Sequence, residues 1–528
     1  MRGLRTPCAL LPFALLWASA GHAGEFVPNP YAPTGAPAVL DLSRPTSTAR
    51  PPHAAKPSPR FEDLDRYRDV PETDLPQGQL PDGWVQHGSM VVPRAIAEGA
   101  EPRANLSPGL NPSRDNIDGP GVEELCTFPE GVQSGVYDGI YLRGTEYPRH
   151  GTIYMNYTGG LLFNGKGENS AENQSTLARS GHEFPVYGGG EERAIAVAQA
   201  VQADYAEMAV RVVYLERPNK RLPYAMIMMG GSYKDTSTGP SGGVAPSADC
   251  EDHGLRNVCY AFVRTQGIST QANIASQELG HTMGLGHTYG SDRVMAFGYD
   301  TNSPIDMGFG DDCATVLTAA GQGGYCSGIN TCHCGGDGKA QHDLRTLKAI
   351  YAPPAPDMIP PTISITSPED GASFPEGEPI IVKVDPWDNF GGYGWDITIA
   401  QGDTILGESV DYELSQQFVI IGLKPGTYTF TTRVQDHEDQ IGEDAITVTV
   451  EGAPGETDAP TTSESDTGDT GSASDASSGA DTESGEAAGQ DSDGSAEDGC
   501  SCRDGERPSS LALLLAPLLL FMRRRRRA

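Results

Sequence analysis

Basic residues are scarce in this chain. Lys and Arg number 37 against 71 Asp and Glu over 528 residues, for a formal net charge of −34. No basic patch occurs outside the terminal arginines, so a nucleic-acid partner is not expected. Long apolar runs are missing too. The two best, Leu10–Trp17 and Leu511–Met522, fall short of the roughly 20 residues that a membrane-crossing helix needs. Aromatic residues make up only 7%. Residues 24 to about 60 are rich in Pro, Ala and Ser, and 452–499 in Ser, Thr, Gly and acidic residues. Such compositions bury too little apolar surface to order themselves and read as disordered.

The ends of the chain define its compartment. Residues 1–23 carry Arg2 and Arg5, then the apolar run, then Ala20-Gly21-His22-Ala23, the layout of a secretory signal peptide with cleavage after Ala23. At the other end, 500–528, Cys500-Ser501-Cys502 precedes the apolar segment and the block Arg523–Arg527. That order resembles the C-terminal sorting tails of myxobacterial surface proteins. The resemblance implies processing machinery acting near Cys500, membrane contact through the hydrophobic segment, and display at the cell surface or outer envelope, anchored or released. The acidic stretch 452–499 then serves as a solvated stalk.

Between the ends, residues 24–134 are an N-terminal extension or a prosegment, and 135–352 and 360–451 are two folded units. In the first, Thr152–Tyr157, Met208–Leu215, Tyr224–Met229 and Asn257–Arg264 read as strands, and Glu191–Tyr205 as a helix. A second helix starts near Ile268, and Gln341–Tyr351 forms a closing helix ended by Pro353 and Pro354. In the second unit, Ile363/Ile365, Val382/Val384, Ile397/Ile399, Tyr428/Phe430 and Ile446/Val448/Val450 alternate as half-buried strands do. The run Gly422-Leu423-Lys424-Pro425-Gly426-Thr427-Tyr428 resembles the corner before a late strand of bacterial immunoglobulin-like domains, which implies a β-sandwich spacer.

The segment that carries chemistry is Gln277-Glu278-Leu279-Gly280-His281-Thr282-Met283-Gly284-Leu285-Gly286-His287. Helical spacing of four puts Gln277 and His281 on one face, and Gly284 permits a sharp turn that returns His287 toward them. Met295 follows His287 by eight residues. The pattern resembles H-E-x-x-H-x-x-G-x-x-H of the metzincin metallopeptidases, with matrixin-like spacing to a Met-turn at Met295. Gln277 stands where the first ligand histidine belongs. Phe297, rather than Tyr, stands two residues after Met295, so no tyrosyl ligand is expected.

The resemblance implies an α/β zincin-like fold over 135–352, followed by the all-β immunoglobulin-like sandwich. It also implies Zn²⁺ held by His281, His287 and a third ligand, with Glu278 activating a zinc-bound water to hydrolyse a protein or peptide substrate. A neutral amide oxygen is a poorer zinc donor than imidazole, so Gln277 is the weakest candidate ligand. Three outcomes stay open. Gln277 coordinates through oxygen, His253 or His182 supplies the missing ligand, or the domain is a pseudoprotease that binds peptide or protein without cleaving it.

Cysteines fit export. Apart from Cys8, Cys500 and Cys502, seven remain: Cys126, Cys250, Cys259, Cys313, Cys326, Cys332 and Cys334. Disulfides are expected, with Cys250–Cys259 as a local pair, and Cys332 and Cys334 in separate bridges. Cys126 lacks the matrixin prosegment motif around it and reads as a disulfide partner or a free thiol, not a zinc cap. The acidic residues Asp300, Asp306, Asp311 and Asp312 offer a candidate structural Ca²⁺ site, although their spacing matches no recognised loop.

Overall fold

The computed structural model describes residues 34–43, 59–99, 126 and 136–452, less the short stretches 69, 71–73, 138–139, 248, 264, 298–304, 319–320, 323–324, 327–331 and 336–337. The signal sequence, the acidic stretch from 453 and the sorting tail lie outside them, as does Asp300. No helix of the described residues is long and apolar enough to cross a membrane.

β1 (Ala38–Asp41), β2 (Trp84–His87) and β3 (Met90–Pro93) precede the first folded unit. That unit runs β4 (Gly151–Asn156), α1 (Glu191–Asp204), β5 (Val210–Val213), β6 (Ala225–Met229), β7 (Gly243–Pro246), β8 (Val258–Ala261), α2 (Ile268–Thr282) and α3 (Asp343–Ile350). Its sheet has the order β5-β4-β6-β8-β7-β3-β2. The first four strands are parallel, β7 runs antiparallel to β8, and β3 lies parallel to β7. β2 closes the edge as the antiparallel partner of β3.

The apolar runs of β4, β6 and β8 follow from this placement, because both faces of the sheet are covered. Ile227 and Met229 join the core under the helices, while Met226 and Met228 join the core on the opposite face. α1 turns Ala194, Val197, Ala198 and Val201 inward, the 3.6-residue stripe of a half-buried helix. Most of α2 is buried, from Thr270 to Thr282, which seats the motif against β7 and β8.

The second unit is a sandwich of two sheets. It comprises β9 (Thr362–Ser367), β10 (Ser373–Pro375), β11 (Ile380–Trp387), β12 (Gly394–Gln401), β13 (Thr404–Val410), β14 (Gln417–Ile421), β15 (Gly426–Gln435) and β16 (Ile441–Glu451). One sheet is β1-β14-β11-β9 and the other β10-β16-β15-β12-β13. Trp395, Phe418 and Phe430 fill the space between them. β11 alternates strictly, with Ile380, Val382 and Val384 buried. Tyr428 donates its hydroxyl hydrogen bond to the Lys424 carbonyl at 2.6 Å, which pins the corner expected at 422–428.

β1 departs from the disorder expected for residues up to about 60. Ala38–Asp41 pairs in parallel with Phe418–Ile421, and Ala38 and Leu40 pack on the sandwich core. A strand with only two inward side chains leaves almost no periodic signal in a Pro- and Ala-rich run. The bridges also differ from expectation. Cys250 pairs with Cys326, while Cys259 is a buried free thiol. Cys259 lies on β8 with its side chain in the core under the helices, so strand alternation withdraws it from Cys250. Cys126–Cys332 and Cys313–Cys334 form the other bridges, so Cys332 and Cys334 do sit in separate disulfides.

Asp343 opens α3 and is fully buried, accepting from Gln341 Nε2 at 2.7 Å and from the Gly310 amide at 3.2 Å. Burial pushes its carboxyl from 3.8 up to about 6. Between these values the unfolded chain has lost the proton and the folded chain keeps it. Stability therefore falls as pH rises from about 4 to 6 and levels off above. Asp343→Asn should flatten that slope in urea unfolding measured across the window.

Candidate metal centre

α2 carries Gln277, Glu278 and His281 on buried turns and ends at Thr282. Gly284 then turns the chain at φ +91°, where a Cβ would stand 2.9 Å from the Asp249 carbonyl oxygen and 3.0 Å from Cys250 Cα. Gly284→Ala should cost about 2 kcal/mol or more in denaturant unfolding, from the left-handed backbone and the crowding together. Past the turn, Gln341 grips Gly286 from both sides, accepting from its amide at 2.9 Å and donating to its carbonyl at 3.0 Å. His287 begins the short strand His287–Thr288, which pairs with Ala314–Thr318.

The two imidazoles meet edge to face, with centroids 4.5 Å apart and planes at 84°. His281 Nδ1 donates to the Leu285 carbonyl at 2.7 Å, and this places the lone pair on Nε2. Burial holds His281 down at about 4 and His287 well below the usual range, so both rings are neutral, the form in which imidazole ligates. The two Nε2 atoms converge: Ser89 Oγ lies 3.2 Å from that of His281 and 3.3 Å from that of His287.

Glu278 reaches the same point, where the Ser89 hydroxyl also bonds its carboxylate. Its Oε1 would lie 2.6 Å from a Cβ at Gly243, so it packs directly against β7. Oε2 is buried with no hydrogen-bond partner, and burial pushes the carboxyl well above its ordinary value. Met295 lies below the helix, its sulfur 2.7 Å from where a Gly280 Cβ would stand. The Met295 carbonyl accepts from the Thr288 amide at 2.8 Å, which ties that turn to the His287 strand.

Gln277 turns its amide nitrogen to the same turn, donating to the Val294 carbonyl at 2.7 Å and the Ala296 carbonyl at 3.0 Å. Both amide hydrogens are thereby used, leaving Oε1 as the atom able to ligate. Two imidazole Nε2 atoms and an amide oxygen make a donor set that fits zinc, with one ligand weaker than imidazole. His182 and His253 do not join this group. His182 Nε2 pairs with Asp235 Oδ1 at 2.8 Å, and His253 Nε2 faces Glu251 Oε2 at 3.3 Å. Nor do Asp306, Asp311 and Asp312 gather into an acidic cluster among the described residues. Asp312 pairs instead with Arg293 at 2.6 Å.

One part of the site has no counterpart in the motif. The hairpin β2–β3 lays β3 along β7, with Ala245 N donating to the Ser89 carbonyl at 2.9 Å and Ser247 N to Val91 at 3.1 Å. Its Gly88-Ser89 turn projects into the centre. Gly88 has φ +60°, and a Cβ there would meet Phe297 at 2.8 Å and His287 Nε2 at 3.0 Å. His87 stacks on Phe297, with ring centroids 5.5 Å apart and planes at 10°. A Gly-x pair flanked by Trp84-Val85 and Val91-Val92 is a hairpin signal legible in the sequence, but its partner strand is not.

No family model matches this chain, and no curated protein matches it. Solved structures resemble parts of it at low similarity. A fibronectin(III)-like module of Clostridium thermocellum CbhA is 18% identical over 17% of this chain and 96% of its own, with a TM-score of 0.15. The PKD domain of human KIAA0319 is 18% identical over 18% of this chain and 84% of its own, with a TM-score of 0.15. Catalytically inactive OgpA of Akkermansia muciniphila, solved with an O-glycopeptide substrate, is 12% identical over 60% of this chain and 97% of its own, also with a TM-score of 0.15.

Proposed function

We propose that the chain is an exported, surface-anchored zinc metallopeptidase-like protein of the metzincin type, with its site covered by the β2–β3 hairpin. The observation that carries this reading is the meeting of His281 Nε2 and His287 Nε2 at one buried point, with the Glu278 carboxylate one helix position away and packed against β7. His281, His287 and Gln277 Oε1 would hold the ion. Zinc bound there supplies a Lewis acid that polarises a scissile carbonyl. Glu278 Oε2, buried and free of protein partners, takes a proton from the attacking water and returns it to the leaving amine. With the β2–β3 hairpin displaced, the side of β7 that β3 now occupies would align an extended peptide as an added strand.

A second reading rests on a separate observation, the Ser89 hydroxyl seated on both histidines. In that reading the domain is a pseudoprotease whose β7 edge binds a protein or peptide strand without cutting it.

Zinc content of the exported chain tests the first reading. One zinc per chain at micromolar supply is expected, and its absence would sink the proposal. Gln277→His should raise zinc affinity by roughly 10–100-fold in chelator competition, because the Val294 and Ala296 carbonyls stand ready to accept an imidazole N–H. An unchanged affinity would mean that position 277 does not face the ion.

A further inference from the structure

A second group of ligand-type side chains lies far along the chain from the motif, where the linker after α3 meets the sandwich. Asp357 comes from that linker, Asp388 from the loop after β11, and Asp436 from the turn after β15. All three carboxylates are buried, and each offers an oxygen within 4.8 Å of the others. Three anions in that space repel one another unless a cation or a shared proton intervenes. The charged groups that bear on Asp388 are Asp357, Asp436 and Glu438, all acidic.

The hydrogen bonds separate the filled oxygens from the free ones. Asp436 Oδ1 accepts from the Glu438 and Gln440 amides at 3.0 and 2.8 Å, and Oδ2 from Gln440 Nε2 at 2.8 Å. Asp357 Oδ1 accepts from the Ile359 amide at 3.0 Å. Asp357 Oδ2 and Asp388 Oδ1 are buried with no partner, on residues only 5% and 7% exposed. Asn389 Oδ1, next in the chain, is buried and unpartnered as well. Leaving such an acceptor unpaired costs about 1–3 kcal/mol and more for a charged one, so this many in one place points to a missing partner.

We propose that Asp357, Asp388 and Asp436 form a calcium site that braces the linker against the two sandwich loops. The donors are all anionic oxygens, the set that selects a hard cation over zinc. His150, immediately before β4, belongs to the wall of the site. Its Nδ1 faces Glu438 at 3.3 Å, and its ring stacks on Phe390 with centroids 4.1 Å apart. An ion here would therefore also fix the two loops that carry Phe390 and Glu438 against the first folded unit. The Asp357 amide already donates to Glu438 Oε1 at 3.3 Å, and Gln440 Nε2 to the Asp357 carbonyl at 3.1 Å, so the linker and the turn after β15 are held in place to receive it. These residues differ from the acidic run at 300–312.

The test uses the full exported chain, freed of metal with a chelator and titrated with Ca²⁺ alone by calorimetry and by thermal melting. Saturable binding in the micromolar to millimolar range and a rise in melting temperature are expected. The double variant D388N/D436N, which keeps side-chain shape, should weaken binding at least about 10-fold and abolish the melting shift. D306N/D312N should leave both unchanged. Failure of the unmutated chain to bind Ca²⁺ at millimolar concentration would overturn the proposal, and so would binding that D388N/D436N leaves intact. A site that takes Zn²⁺ in preference to Ca²⁺ would overturn it too. Because the readout is calcium binding away from His281 and His287, its result is independent of whether the zinc reading stands.

Discussion

Glu278→Ala is expected to lower peptide cleavage by about 10²–10⁴-fold while leaving zinc content unchanged. The split between the two readouts follows from where the carboxylate lies. His281 and His287 turn their Nε2 atoms to one point, and Gln277, its amide hydrogens used, has only its oxygen left to ligate, so the proposed ligand set does not include Glu278. The residue is nevertheless buried beside them, wedged against Gly243 of β7, with Oε2 unsatisfied by the protein. A group so placed, beside the ligands and outside their set, is suited to exchange a proton with a water at the site. Ala removes that base and opens space under β7. Glu278→Gln keeps the volume and should lose cleavage equally, which separates a chemical defect from a packing one. Zinc assays and cleavage should be run in the chain whose hairpin is displaced, so that access does not mask chemistry. Cleavage that survives both variants would remove Glu278 from the mechanism, and with it the peptidase reading.

Much of this geometry was legible in the sequence, because it rests on local spacing. The helix expected to begin near Ile268 begins there, and the strands and helices read at 152, 191, 224 and 257 appear within a residue or two of those positions. The Gly284 turn and the approach of Met295 follow from the motif's own residues. What could not be read depends on contacts between distant segments. β7 is only Gly243-Val244-Ala245-Pro246, too short and too poor in β-branched residues to stand out. The disulfide Cys126–Cys332 joins residues 206 apart, which spacing does not forecast. Asp357, Asp388 and Asp436 are brought together only when the linker folds back on the sandwich loops. His182 and His253 looked available as ligands because their partners, Asp235 and Glu251, are visible only in three dimensions.

In the peptidase reading, Gly88→Val should raise cleavage of an extended peptide by about 10²-fold or more, because it evicts the strand that occupies the proposed peptide position. Met90, Val91 and Val92 are all fully buried, and exposing such side chains costs roughly 1.5–3 kcal/mol each. Part of that burial survives undocking, and the ladder bonds to Ala245 and Ser247 are exchanged for water, so a net docking energy of about 4 kcal/mol is reasonable. At that value the open form is about one chain in a thousand, and an incoming peptide meets a site cut in competence by the same factor. A valine at 88 cannot keep φ +60° without strain, and its Cβ would press on Phe297 and on His287 Nε2, the atom that faces the metal centre. The turn must therefore lift away and take Ser89 off both histidines. Hydrogen exchange at the Ala245 and Ser247 amides reports the release directly, and the thermal melt shows whether the rest of the fold holds. Faster exchange together with increased cleavage is the expected pair. Faster exchange with no cleavage, at full zinc occupancy, would instead favour a cleft that binds strands and does not cut them.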